Sequence, residues 1–316
     1  MTMAGLIEVT RSFTAMNTEV EAIVCVPGSE RTEGEKALVR VQDIFKEVET
    51  ALSRFSPESE LSLLNQAKGV PFTASNLLFT VVSAAKEAAC FTAGIYDPTI
   101  LPYLLAAGYD RSFEKLSDSP DSPVYQLNSR FTWREIILDA DASTITLPAG
   151  CGLDLGGIAK GWTVDRVSEG LKNTAGFAVD AGGDIFAGGK RADGSLWSVG
   201  VVDPLHPHLN LSVLELTDRA ICTSSTARRN WRHNGIYGHH LIDPRSGKPS
   251  DSRVISATII AESAVTAEII AKTALILGSV AGMEFIERQN GVKGILVLDN
   301  GELLESKNCR EAARVL

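Results

Sequence analysis

One stretch, residues 154–167 (DLGGIAKGWTVDRV), constrains the fold more than any other. A short apolar run ends in Asp154, the pair Gly156 and Gly157, Lys160 and Gly161, and then passes into helical spacing through Val164, Val167 and Leu171. That order sets a strand or loop against the N-terminus of a helix. Glycine lets a ligand or ion approach the main chain closely, and a helix start presents unpaired N–H groups to negative charge. Lys160 adds a cation beside them. The same residues also read as a plain glycine-rich turn, because such turns are abundant. Neither GxxxxGK[ST] nor GxGxxG occurs, so the segment is neither a P-loop nor a dinucleotide fingerprint.

Around this stretch the hydrophobic pattern alternates between strand and helix spacing. Val20, Ala22, Val24 and Val26 predict a half-buried strand over 18–26, and residues 33–52 have helical periodicity. Ser59 or Pro57 can start a short helix, and Ser75 can cap another that ends at Ala93 and Gly94. Residues 131–148 suggest a hairpin, and Gly182 and Gly183 sit in a bend between two strands. Short strands follow over 211–216, 220–223 and 256–260. Helices are expected over 262–278 and 283–288, then a hairpin that turns at Asp299, Asn300 and Gly301. Residues 117–126 read as a surface excursion, and 223–249 as a segment of weak regular structure. Several strands, three or four helices and no steady βαβ alternation predict an α+β fold. It would be a single domain over residues 1–316, with mixed, mostly antiparallel strands and flanking helices.

Composition narrows the function. The chain has 316 residues, 44% hydrophobic and 22% charged, which suits a soluble globular protein with a substantial core. A net charge of −9 argues against a nucleic-acid partner, which calls for a basic face. The most basic spot is ARRNWRH, residues 227–233. No run reaches the roughly 18 apolar residues of a membrane span, and the first residues lack the pattern of a signal peptide. Five scattered cysteines without CxxC spacing argue against a disulfide framework and a cysteine zinc site, and fit a cytoplasmic location.

Two further segments hold chemistry. In Ile95-Tyr96-Asp97-Pro98 the proline forces Asp97 into an extended conformation, presenting an aromatic and a carboxylate together. Asp97 can equally be the N-cap of a following helix. The segment HHLIDPRSGKP, residues 239–249, sets two of the five histidines before a sharp turn. Histidine can accept a proton near neutral pH, although two adjacent histidines can also be structural. They make a poor metal pair, since neighbouring side chains diverge.

In their order along the chain these motifs resemble the ApbE-type FAD:protein FMN transferases. The resemblance runs from about Met16 to Gly278 and rests on Met16-Asn17-Thr18, Ser53-Arg54-Phe55, Tyr96-Asp97-Pro98-Thr99, DLGGIAKG with Asp165, Gly182-Gly183-Asp184, Thr223-Ser224 and His240-Leu241-Ile242-Asp243-Pro244-Arg245. It implies an enzyme that cleaves the pyrophosphate of FAD, joins FMN through its phosphate to a threonine or serine hydroxyl of an acceptor flavoprotein, and releases AMP. It also implies magnesium at the pyrophosphate. Carried over position by position, Met16, Phe55, Ile95, Tyr96 and Asp97 would line the flavin-nucleotide pocket, and Asp154, Lys160 and Leu241 would contact FAD. The carbonyl of Gly157 and the carboxylate of Glu268 would face the metal, and His240 would accept the proton.

The chain departs from the family pattern on one helix. Where the family has an aspartate and, four residues on, a threonine as oxygen donors, this chain has Glu268 and Lys272. An ammonium has no lone pair and cannot ligate magnesium. Lys272 can form a helical ion pair with Glu268, take over part of the cation's role, or mark a site that binds FAD without transferring it. Hydrolysis of FAD to FMN and AMP, and noncatalytic FAD binding, are the alternative functions.

Overall fold

The computed structural model describes residues 5–112, 130–227, 230–233 and 236–310. The expected excursion at 117–126 lies outside them, as do Arg228 and Arg229 of the basic spot.

An eight-stranded sheet, antiparallel throughout, organises the chain. Its strands lie side by side in chain order: Leu6–Ala15, Thr18–Pro27, Gly176–Ala181, Asp184–Gly189, Arg219–Ser225, Val254–Ala261, Lys293–Leu298 and Leu303–Glu305. The fold is therefore a meander with insertions, and the insertions carry the helices and the chemistry. Antiparallel neighbours need only short connections, so long insertions can leave the sheet intact.

The second strand buries Val20, Ala22, Val24 and Val26 as its alternation requires. Its partner, Leu6–Ala15, was not anticipated, because Arg11 interrupts the apolar series Ile7, Val9, Phe13 and Ala15. The structure accommodates Arg11 by a hydrogen bond from its Nε to Gln42 Oε1, 2.7 Å away. The two strands are joined through Met16 and Asn17, with φ of 53° and 56°. Positive φ at both central residues is what a tight two-residue hairpin turn of matching twist demands.

The helices are α1 (Arg31–Leu52), α2 (Glu60–Gln66), α3 (Asn76–Phe91), α4 (Leu101–Ala106), α5 (Ala159–Leu171), α6 (Ala264–Leu277), α7 (Ser279–Glu287) and α8 (Lys307–Arg310). Eight occur among the described residues against the three or four expected, because several are only one or two turns long. Ser59 and Ser75 cap α2 and α3 as anticipated, accepting from the N–H of Ser62 and Leu78. The hairpin expected within 131–148 is present as Ile137–Asp139 and Thr144–Thr146, joined by Phe72–Thr73 into a three-stranded sheet. Residues 223–249 are more regular than expected. They form the paired strands Asn230–His233 with Ile236–His239, and Ile242–Asp243 with Lys248–Pro249. Polar strands this short carry no readable apolar alternation; Gly247, with φ of 69°, closes the second pair by donating its N–H to the Asp243 carbonyl.

Helices α1, α5 and α6 pack on one face of the sheet around Phe45, Val164, Ile270 and Leu275. The opposite face is covered by the hairpin Trp197–Val202 with Asn210–Leu216. A second core joins α1, α2 and α3 to Leu153, Leu155 and Ile158, the residues that lead into α5. A third, small cluster holds Tyr103, Leu104, Tyr109, Trp231 and Ile242. The candidate site lies where these three meet.

Candidate active site

The segment 154–158 reaches α5 through Gly156 and Gly157, with Ile158 as the N-cap residue. Asp154 is held at both ends of its side chain. Oδ1 accepts the Gly156 N–H at 2.9 Å, and Oδ2 lies 2.5 Å from the Arg54 Nε. Arg54 and Asp154 are almost fully buried, with 6% and 13% of their side-chain surface exposed. A pair so far from water loses much of its hydration, and it is stable only when further hydrogen bonds engage the charges. Arg54 has such support: Nη1 donates to the Tyr109 carbonyl at 3.0 Å, and the guanidinium carbon stands 4.1 Å and 4.5 Å from the ring centroids of Phe55 and Tyr109. Its Nη2 is buried with no protein acceptor.

Lys160, on the first turn of α5, forms an ion pair with Asp184 at the start of the fourth sheet strand. Its Nζ also lies 3.8 Å from Glu268 Oε1. Glu268 Oε2 accepts the Gly161 N–H at 2.9 Å. Gly161 permits this approach, because a methyl there would stand 2.8 Å from the Ala264 carbonyl oxygen. One turn further along α5, Asp165 accepts the N–H groups of Ala264 and Val265 at 2.7 and 2.9 Å. Burial raises the Asp165 pKa, while those two hydrogen bonds pull it down. The spacing of Gly161 and Asp165 within GIAKGWTVD therefore serves the joint between α5 and α6. Both charged residues of α6, Glu268 and Lys272, are set by that joint.

A cavity of about 350 Å³ opens here, within the range of small-molecule sites. Met16, Phe55, Asp154, Lys160, His240 and Lys272 are among the residues that line it. A narrow cleft continues from it and is lined by Ile95, Tyr96, Asp97, Gly157 and Leu241. Asp154, His240 and Lys272 line both spaces. The structure thus brings together every site residue named from the sequence except Glu268, which is buried behind Lys160 and lines neither.

Within this group the roles available differ. Asp97 does cap the short 3-10 turn Pro98–Ile100, accepting the N–H and hydroxyl of Thr99 at 2.9 and 2.7 Å, and it also accepts the Trp133 N–H at 3.1 Å. Burial raises its pKa against these bonds. Tyr96 is fully enclosed, its hydroxyl has no protein partner, and burial followed by the charges of Glu268, Asp154 and Asp97 holds its pKa well above the usual value. Leu241 is a buried wall residue.

The adjacent histidines separate by role. His239 is buried, its Nε2 lies 2.9 Å from the Ser250 carbonyl, and its Nδ1 accepts the Leu241 N–H at 3.3 Å. A carbonyl on one side and an N–H on the other fix the neutral Nε2–H tautomer. His240 faces the cavity instead. Glu49, which accepts the Met16 N–H at 2.9 Å, and Arg54 also line the cavity; neither has a site role in the reading of the sequence, although Arg54 lies in the motif Ser53-Arg54-Phe55. Arg54 had a local signal, a lone arginine beside an aromatic in a bend; Glu49 had none, lying mid-helix in α1.

These positions do not fit a divalent cation. The Lys272 Nζ lies against Gly157, so closely that a methyl built there would overlap it, and stands 5.7 Å from the Tyr96 ring centroid. One Glu268 oxygen is committed to the Gly161 N–H and the other faces Lys160. Among the described residues no three His, Cys, Asp or Glu side chains gather as a metal site. The expectation that Gly157 and Glu268 hold magnesium meets a cation already standing over Gly157.

The fold is an antiparallel α+β meander whose helical insertions enclose a pocket lined by both cations and carboxylates, among them Arg54, Lys160, Lys272, Glu49 and Asp154. The chain belongs to the ApbE family, whose model matches residues 16–296. It is similar to the FAD:protein FMN transferase of Haemophilus influenzae, 30% identical over 294 residues, covering 89% of this chain and 84% of that protein. It is also similar to the FAD:protein FMN transferase of Vibrio cholerae serotype O1, 29% identical over 269 residues, covering 83% and 79%. Its fold is that of the ApbE protein from Thermotoga maritima, with TM-score 0.85, 23% identity and coverage of 98% and 100%. The apo flavinyl transferase ApbE of Pseudomonas stutzeri superposes with TM-score 0.83 at 21% identity, each chain covered in full (100%).

Proposed function

We propose that this protein is an FAD:protein FMN transferase in a single catalytic domain. Asp154, His240 and Lys272 at the junction of cavity and cleft carry this reading, because a hydroxyl acceptor, a base and a phosphate-facing cation must meet at one point. Membership of the family and similarity to curated transferases support the substrate.

In this mechanism Met16 and Phe55 line the pocket for the flavin nucleotide, with Ile95, Tyr96 and Asp97 forming the floor of the cleft. Lys160 steers the phosphates, and Asp154 holds Arg54 in place while the Gly156 turn stays closed around it. His240 takes the proton of the acceptor threonine or serine hydroxyl. That oxygen forms a bond to the phosphorus of the FMN half, the phosphorus–oxygen bond to the AMP phosphate breaks, and its electron pair leaves with AMP. None of these steps passes through magnesium, which the resemblance implies, because the Lys272 ammonium occupies the face of Gly157.

The partners are FAD and an acceptor flavoprotein. No helix among the described residues is long and apolar enough to cross a membrane. Incubation with FAD and a threonine-bearing acceptor peptide tests the assignment. AMP together with a peptide heavier by one FMN phosphoryl group supports it. AMP with free FMN alone makes the protein a pyrophosphatase, and intact bound FAD makes it a binding protein.

A further inference from the structure

We infer that Lys272 takes the place of a divalent cation at the FAD pyrophosphate, so that this site engages FAD without magnesium. The inference rests on the transferase reading and concerns how its phosphate subsite is built.

Helix α6, AVTAEIIAKTALIL, carries no charge except Glu268 and Lys272, and ten of its fourteen residues are buried. A charge on such a helix is costly unless it is engaged, so its position has to be explained by what it faces. Residues four apart share one helical face, and both charges point towards α5 and the segment that precedes it. Glu268 is drawn into the α5 joint by Gly161 and Lys160. Lys272, one turn further, extends over Gly157, a residue whose missing side chain is what leaves room for the ammonium. The Tyr96 ring at 5.7 Å supports a cation through its π face.

The electrostatic setting reinforces this placement. Lys272 lines both the cavity and the cleft, the position at which two linked phosphates would span from one to the other. An ammonium there supplies three donors and a positive charge to phosphate oxygens. It also repels a divalent ion from the same place, so lysine and magnesium are alternatives at Gly157 and not partners.

FAD affinity of the full chain, followed by flavin fluorescence in EDTA and in magnesium chloride, tests the inference. Wild-type protein is expected to bind FAD with the same Kd in both buffers. Lys272→Thr is expected to lose about 10–100-fold in affinity in EDTA, the worth of a charge-assisted contact. Magnesium is expected to restore much of that loss, and Lys272→Arg to bind in EDTA as wild type does. Wild-type affinity that collapses in EDTA and returns with magnesium overturns the inference, whether or not any variant folds. Absence of FAD binding in both buffers overturns the transferase reading itself.

Discussion

Gly161 and Glu268 lie 107 positions apart in the chain, yet the Gly161 N–H donates to Glu268 Oε2 at 2.9 Å inside the joint of α5 and α6. This bond requires glycine. A methyl at 161 would stand 2.8 Å from the Ala264 carbonyl oxygen and 2.8 Å from Glu268 Oε2, and the carbonyl belongs to a helix that cannot yield alone.

Gly161→Ala therefore lowers stability. Alanine favours the helix by about 1 kcal/mol over glycine, but overpacking against backbone costs about 1–3 kcal/mol. Denaturant titration of Gly161→Ala should give a midpoint below wild type; an equal or higher midpoint shows that the helices can separate freely.

Asp165→Ala removes the carboxylate that receives the first N–H groups of α6. A lost helix cap costs about 0.5–2 kcal/mol. Because α6 carries Lys272, FAD affinity should fall along with the melting temperature, whereas Asp165→Asn should retain part of both. A melting temperature unchanged in Asp165→Ala refutes the capping role.

Arg54→Ala leaves Asp154 buried without its partner. Breaking a buried ion pair by removing one member costs about 3–5 kcal/mol. Arg54→Lys keeps the charge but not the planar stacking on Phe55 and Tyr109, so it should recover only part of the stability. Full recovery by lysine, read from the same unfolding curves, would show that charge alone matters there.

Stability should also depend on pH through His239. Burial, opposed by the hydrogen bond to Ser250, depresses its pKa from the ordinary 6.5. The unfolded chain then binds the proton first, so stability is complete above about pH 6.5 and is lost as pH falls through the folded pKa. Protonation would also set an Nδ1–H against the Leu241 N–H. Unfolding midpoints of wild type and His239→Gln between pH 5 and 8 should diverge in slope below neutrality; parallel slopes exclude His239 as the source.

Cysteine chemistry follows burial. Cys25, Cys151, Cys222 and Cys309 are buried free thiols, and burial raises Cys25 to about 11 and Cys151 to about 12. These four behave as small buried hydrophobes, and Cys90 alone is exposed.

The sequence by itself determined the strands and helices whose apolar residues recur with a clean period, such as Thr18–Pro27 and α1, and the caps Ser59 and Ser75. The resemblance carried by its ordered motifs also named residues from Met16 to Leu241 that line the cavity and the cleft. Only the tertiary structure decided which groups are spent on the fold. Asp97 is taken up by Thr99 and Trp133, His239 by Ser250, and Asp165 by the start of α6, while His240 and Lys272 face the cavity. Periodicity reports which face of an element is apolar, but a polar side chain's partner is set by contacts between segments far apart in the chain. At the stretch around Gly157 that difference is decisive: its glycines announce a close approach, and the packing of α6 puts the Lys272 ammonium there.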